Sequence, residues 1–220
     1  MKTKQAFNKL FLSIGILLCF MACTPTRKLQ TGEYMLTKNK VIADKKEIPV
    51  DDIMYVIRPT PNKKFLNLFF WKAGIYQAMT PNDTTNDNKA KQWMRKNFGE
   101  PLVLLDTALI EYSNSQIHLF MKNKGYFESN VSYKIKTKRK KAKVNYYIEA
   151  GQACKIADIT YKIKDDVIYD LIMKDTINGL LKVGSNFDVD EFANERNRIS
   201  SYLNNHGYFN FTENYIIFKI

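Results

Sequence analysis

Ser115 to Phe127 and Asn197 to Phe209 are two copies of one segment. Residues 82 positions apart match in kind: Ile117 with Ile199, Phe120 with Tyr202, Met121 with Leu203, Asn123 with Asn205, and Gly125 with Gly207. Upstream, Ile110 answers to Phe192 at the same offset. Self-similarity at a fixed period means one structural unit used twice, so the fold must accommodate two related corners. In each copy the apolar residues recur at helical spacing and form a single stripe. Asn-x-Gly then stops the helix. Glycine at this place predicts a left-handed C′ cap, which a residue with a Cβ tolerates less well.

Beyond the first corner the period changes to two. Val131, Tyr133 and Ile135 alternate with polar neighbours, Lys136 to Lys143 reads as a solvated turn, and Val144, Tyr146 and Ile148 alternate again. This predicts a hairpin with one apolar face. After Gly151, the residues Ile159, Tyr161 and Ile163 predict a further strand, and Val167 to Leu181 a helix. The second copy, from Gly207 to Ile220, has room for one strand over Phe209 to Ile220 where the first copy has two. One full period therefore reads strand, helix, helix, strand, strand. Helices and sheet must cover each other, since neither layer buries its apolar surface alone. The expected class is α+β, with a sheet beneath each repeated helix.

The start of the chain has a different character. Lys2, Lys4 and Lys9 precede an apolar run from Leu10 to Ala22, with no acid among them. That is the layout of a secretory signal, and the run is too short to span a bilayer comfortably. It ends in Phe20-Met21-Ala22-Cys23, which resembles the lipobox of bacterial lipoproteins and implies diacylation of Cys23. Phe20 departs from the usual aliphatic residue, and Cys19 is the poorer acceptor because bulky Leu18 precedes it. A single acyl chain binds a bilayer only marginally, with a constant of about 10⁴ M⁻¹, whereas two or more hold stably. Removing residues 1–22 takes away three lysines and lowers the net charge from +12 to +9. So basic a domain is drawn to anionic partners, and export points to lipid rather than nucleic acid. Only Cys154 then remains as a thiol, so no disulfide forms within the chain and stability must come from its core.

The order β-α-α-β-β, the period of about eighty residues, and the corners Gly125-Tyr126-Phe127 and Gly207-Tyr208-Phe209 resemble POTRA (polypeptide-transport-associated) domains. These are tandem periplasmic units ahead of the barrel in the BamA/TamA superfamily of outer-membrane assembly proteins. Cys23, the stretch Arg27 to Tyr34, and Gly99-Glu100-Pro101 resemble its TamL-like lipoprotein branch. The resemblance covers residues 16–220. It implies a signal peptide over 1–22, a tether over 23–30, a first module over 31–151 with an insertion at about 60–98, and a truncated second module over 152–220. Each module would set two helices on a small mixed sheet. The implied partners are nascent outer-membrane polypeptides or another periplasmic assembly subunit, held by strand addition to exposed sheet edges, and a lipid bilayer held through acylated Cys23. The implied place is the outer membrane, facing the periplasm. The short second copy and the missing barrel suggest the N-terminal part of a longer protein or a truncated product. The competing class is a stand-alone periplasmic lipoprotein with a ligand-binding or hydrolytic role.

Several groups could carry chemistry. Lys136, Lys138, Arg139, Lys140, Lys141 and Lys143 could contact anionic headgroups or an acidic partner, or simply solvate a turn. His118 and His206 fall at non-equivalent places and lack the paired spacing of zinc ligands, and Cys154 has no Cys or His beside it. No metal or other cofactor is expected. No nucleophile elbow or phosphate loop is present, so no enzymatic role is expected. Asp51-Asp52 and Asp165-Asp166 suit helix starts. The aromatic-rich stretch Lys63 to Met79 is either a docking or lipid-facing surface, or core inside an enlarged first module.

Overall fold

The computed structural model describes residues 25–66, 68–81 and 87–220. Its elements are β1 (Met35–Ala43), α1 (Val50–Val56), α2 (Trp71–Met79), α3 (Lys89–Phe98), α4 (Thr107–Asn123), β2 (Asn130–Lys138), β3 (Lys141–Glu149), α5 (Asp166–Asp175) and α6 (Val189–Asn205). Through β3 this is the expected strand, helix, helix, strand, strand, with α2 and α3 inserted between its two helices. Asp51 and Asp52 lie in the first turn of α1. Asp165 caps α5 by accepting from the Val167 and Ile168 N–H groups at 2.9 and 3.0 Å.

The strands form one sheet in the order β1-β3-β2. Met35 N–H donates to the Lys140 carbonyl at 3.0 Å and Thr37 Oγ1 to the Ala142 carbonyl at 2.7 Å. Both strands advance together along these bonds, so β1 runs parallel to β3. The hairpin makes β2 antiparallel to β3, and the sheet is mixed. The turn between β2 and β3 differs from the expected one. Strand pairing continues through most of Lys136 to Lys143, and only Arg139 and Lys140 turn, with φ of 49° and 56°. Two consecutive left-handed residues match the right-handed twist of a hairpin, but Arg-Lys carries none of the Asn-Gly signature that announces such a turn.

The chain forms two compact units. The first holds the described residues up to Ile42 with Met54–Asn114 and Tyr133–Tyr146, and the second holds Ala43–Ile53, Ser115–Ser132 and Tyr147–Ile220. In the first unit, Leu29, Met35, Phe70 and Ala73 form a buried cluster with Leu102 packed against it. Ile57, Ile110, Ser113, Val144 and Tyr146 are buried in the same unit. Ser113 Oγ accepts from the Arg58 N–H at 2.8 Å and bonds the Arg58 carbonyl at 2.7 Å. It thus ties α4 to the segment after α1.

In the second unit, Ile172, Ile199 and Leu203 are buried together, with Tyr161, Ile163, Phe211 and Ile216 packed on them. The residues expected on two strands therefore do cover the apolar stripe of α6. Their backbones, however, form no ladder: neither Ile159 to Ile163 nor Phe209 to Ile220 is a strand, and the described residues place no sheet beneath α6. The first copy shows why. There β2 is held by β3, whereas among the described residues Phe209 to Ile220 has no strand beside it. A strand without a partner leaves its N–H and C=O groups to water, and isolated extended segments are marginal at best. The expected helix over Val167 to Leu181 is α5 followed by a 3₁₀ turn, Thr176–Asn178, ended by Gly179.

The two corners agree bond for bond. Tyr126 N–H donates to the Met121 carbonyl at 2.9 Å and Gly125 N–H to the Lys122 carbonyl at 3.0 Å. One period later Tyr208 N–H donates to the Leu203 carbonyl at 3.1 Å and Gly207 N–H to the Asn204 carbonyl at 3.3 Å. This is a Schellman motif, and φ is +84° at Gly125 and +97° at Gly207. The surroundings differ. A Cβ on Gly125 would stand 2.6 Å from the Phe187 carbonyl oxygen, whereas one on Gly207 would meet nothing within 4 Å. We therefore expect Gly207→Ala to lower the unfolding free energy by about 1 kcal/mol through the left-handed backbone alone, and Gly125→Ala by about 3 kcal/mol because a fixed carbonyl must also move. Urea titration of the two variants checks the order.

Candidate functional site

The sheet has two edges, and they are treated differently. Along β1, Leu36 N–H donates to the Val103 carbonyl and Leu105 N–H to the Tyr34 carbonyl, both at 2.8 Å, so residues 103–105 close the start of that edge. Asn62 holds the closing segment in place. It is buried, its Nδ2 donates to Glu100 Oε1 at 2.9 Å and to the Pro101 carbonyl at 2.8 Å, and its Oδ1 accepts from Val103 N–H at 2.8 Å. Gly99 leads into it under crowding: a Cβ there would lie 2.5 Å from the Arg95 carbonyl oxygen and 3.1 Å from Tyr76 Cα. Gly99-Glu100-Pro101 thus guides the chain onto β1.

β2 stands at the other end of the sheet. The turn at Arg139 and Lys140 pairs Lys138 with Lys141 and Lys136 with Lys143. In that register Tyr133, Ile135 and Thr137 aim their backbone N–H and C=O groups away from β3. Tyr133 also donates from its hydroxyl to Glu111 Oε1 at 3.4 Å, and its ring lies 6.3 Å from that of Tyr146.

The strand faces are as unequal as the edges. Ala142, Val144 and Tyr146 are fully buried, while Lys136, Lys138, Lys141 and Lys143 point to solvent. Lys134 shares that face. In β1, Asn39 Nδ2 donates to the Pro59 carbonyl at 2.9 Å, next to the residue that Ser113 grips, so Asn39 is on the helix side. Lys38 and Lys40 alternate with it, are exposed, and lie on the open side. Of the six predicted basic residues, the fold therefore gathers four on one face. Arg139 is in the turn, and Lys140 Nζ is drawn aside to the Leu29 carbonyl.

The other predicted groups do not converge. Cys23 lies outside the described residues. His118 is half-buried in α4, and His206 Nδ1 is bonded to the Tyr202 carbonyl at 2.8 Å with its ring stacked 4.2 Å from that tyrosine. Cys154 is exposed. Among the described residues no three His, Cys, Asp or Glu side chains gather as metal ligands, and no helix is long and apolar enough to cross a membrane. The stretch Lys63 to Met79 divides: Phe70 and Ala73 enter the core, whereas Phe65, Leu66 and Leu68 are exposed.

Sequence reasoning missed one buried charged cluster. Arg198 grips both Glu195 oxygens at 2.8 and 2.9 Å and also bonds Asp175. Glu195 Oε2 takes the Leu180 N–H at 2.9 Å, and Asp175 Oδ1 takes Asn178 Nδ2 at 2.7 Å. Glu195 and Arg198 stand three residues apart on α6, a spacing the sequence does show, but nothing in the sequence joins them to Asp175 at the end of α5. Every charge is answered from within, which describes a structural clasp rather than an acid–base pair. A second ion pair joins Lys124 to Asp188 and Asp190 at 2.8 and 2.9 Å. Burial pulls the Lys124 pKa down, but the two carboxylates outweigh it and leave it above the ordinary lysine value.

Residues 76–151 match the POTRA family model. It is described as surface antigen variable number repeat, and the match runs from within α2 to Gly151, where the hairpin ends. The fold is α+β and POTRA-like, with helices packed on a mixed three-stranded sheet. The crystal structure of Haemophilus influenzae BamA POTRA3-5 is similar at 9% identity, with 83% of this chain and 90% of that chain covered and a TM-score of 0.24. No curated protein matches the chain.

The Arg198 clasp sets a pH dependence. Burial alone would raise the Asp175 pKa, but bonds from Asn178 and Arg198 prevail and hold it below its ordinary 3.8. A carboxylate depressed in this way stabilises the fold above its unfolded-state pKa and loses that contribution as pH falls through the folded value. Asp175→Asn should thus cost about 2 kcal/mol at pH 7 and flatten the loss of stability below about pH 4. Unfolding free energies across pH 2.5–7 for parent and variant check both parts.

Proposed function

We propose that this chain is the periplasmic, polypeptide-holding arm of an outer-membrane protein assembly or translocation factor of the TamL-like kind, and that it captures extended client strands along β2. The observation that carries the reading is the asymmetry of the sheet. Residues 103–105 already occupy the start of the β1 edge, while β2 ends the sheet inside a segment that matches the POTRA family. Backbone pairing tolerates many client sequences, since it reads N–H and C=O groups, and alternate client side chains need only shallow apolar contacts. Ile135 and Tyr133, half-buried beneath the edge, supply them.

On this reading the chain divides into a signal over residues 1–22, a tether over 23–30, and two modules over 31–151 and 152–220. Acylated Cys23 fixes them to the outer membrane on its periplasmic side. The extended chain after Gly207, which is in no sheet among the described residues, would pair with a strand from a partner. Such capture requires no cofactor and no bond-making chemistry.

Thr137 offers a direct test. It is exposed and its N–H points outward, so Thr137→Pro removes a donor from the edge without removing a bond to β3. Fluorescence anisotropy with a labelled ten-residue peptide of alternating apolar and polar residues should show at least tenfold weaker binding to the variant, at an unchanged melting temperature. Lys136→Pro removes an inward-facing donor instead and should lower the melting temperature. Equal peptide binding by a folded Thr137→Pro chain rules out β2 as the capture edge.

A further inference from the structure

We infer that the open face of the sheet is an electrostatic platform that lies against the anionic headgroups of a lipid bilayer. This goes beyond client capture, because it uses the face of the strands rather than their edge.

Lys38 and Lys40 from β1, Lys134, Lys136 and Lys138 from β2, and Lys141 and Lys143 from β3 share one side of one sheet. Strands stand about 4.8 Å apart and alternate residues about 6.6 Å apart along each, so neighbouring ammonium groups lie well within a Debye length of about 10 Å. Between the turn and Asn145 the same side carries no acid; further from the turn it carries Glu149, whose carboxylate accepts from Asn130 Nδ2 at 3.2 Å. Among the described residues, Lys38, Lys40, Lys136, Lys138, Lys141 and Lys143 belong to no ion pair.

The placement works against the hairpin itself. Lys138 faces Lys141 and Lys136 faces Lys143 across the ladder, and like charges directly opposite destabilise a sheet. Protection against edge-to-edge pairing does not account for it. That device puts lysines on outer strands, whereas Lys141 and Lys143 are on the central one. An external array of negative charge would turn the repulsion into attraction.

The shape of the face selects the occupant. Its charges repeat at alternate positions along three neighbouring strands. Lysine is a hydrated point charge, suited to a diffuse negative surface, while arginine is the residue of bidentate recognition. The seven ammonium groups lie 15 to 120 positions beyond Cys23, and Lys38 is close enough in the chain to reach a bilayer surface through a short tether. Each lysine near such a surface contributes about fivefold in partition.

The test uses the full chain, so that the leader is the same in every arm. Sedimentation with vesicles of phosphatidylcholine containing phosphatidylglycerol is compared with vesicles of phosphatidylcholine alone. The parent should partition at least tenfold more strongly onto the anionic vesicles than K136Q/K138Q/K141Q/K143Q, with the difference shrinking as salt rises, and the two should be equal on neutral vesicles. The corresponding Lys→Arg chain should bind as the parent does. Should the glutamine chain not fold, as judged by circular dichroism, K38Q/K40Q should show a smaller loss in the same direction. Inorganic phosphate at matched ionic strength should fail to displace the parent, and displacement would reassign the face to a free phosphate. Equal binding of parent and folded glutamine chains to anionic vesicles overturns the proposal. So does binding to polyglutamate in the absence of vesicle binding, which would assign the face to an acidic polypeptide. The peptide assay on Thr137→Pro is independent of all these arms.

Discussion

A three-stranded sheet has two edges and two faces, and this chain resolves each of the four differently. Backbone pairing of Tyr34 and Leu36 with Val103 and Leu105 closes the start of one edge. The closure is held by Asn62, a buried amide whose three bonds all go to the stretch Glu100 to Val103. Helices cover one face, where Val144 and Tyr146 lose all contact with water. What remains is one edge and one face, and both functional readings follow from them. Without the clamp, β1 would offer a second edge, parallel to β3 where β2 is antiparallel to it.

The two repeated corners show how far a local motif determines its setting. Identical Schellman bonds close α4 and α6, and each leads through a second turn, from Tyr126 to Ser129 and from Tyr208 to Phe211. After that the copies part. One continues into β2 and finds β3; the other continues into extended chain and a 3₁₀ turn over Glu213–Tyr215. Its side chains still reach the α6 stripe, because hydrophobic burial is not directional, whereas a ladder needs a second backbone at a fixed distance.

Charge is deployed in two opposite ways. Buried charges are answered completely: Arg198 is bonded by Glu195 and Asp175, and both acids are further satisfied by Leu180 and Asn178. On the open face, lysines stand beside lysines. The first arrangement is tolerable in a low-dielectric interior only because every partner is present. The second is tolerable because water screens it, and for the same reason it is available to a stronger counter-charge.

Much of this was legible in the residues alone. Periodicity located α4, α6 and the hairpin, since the apolar face of an element must repeat with its geometry. Glycine at 125 and 207 announced the left-handed caps, and Asp165 its helix start, because these depend on bonds within a few residues. The basic run at 136–143 was visible as charge, but its meaning was not: only strand alternation and the two-residue turn sort it into a face, and only the parallel pairing of β1 brings Lys38 and Lys40 beside it. The Asn62 clamp, the bond from Arg198 to Asp175 and the choice of open edge join residues far apart in sequence. Spacing carries no record of such contacts, because they exist only once the chain has packed.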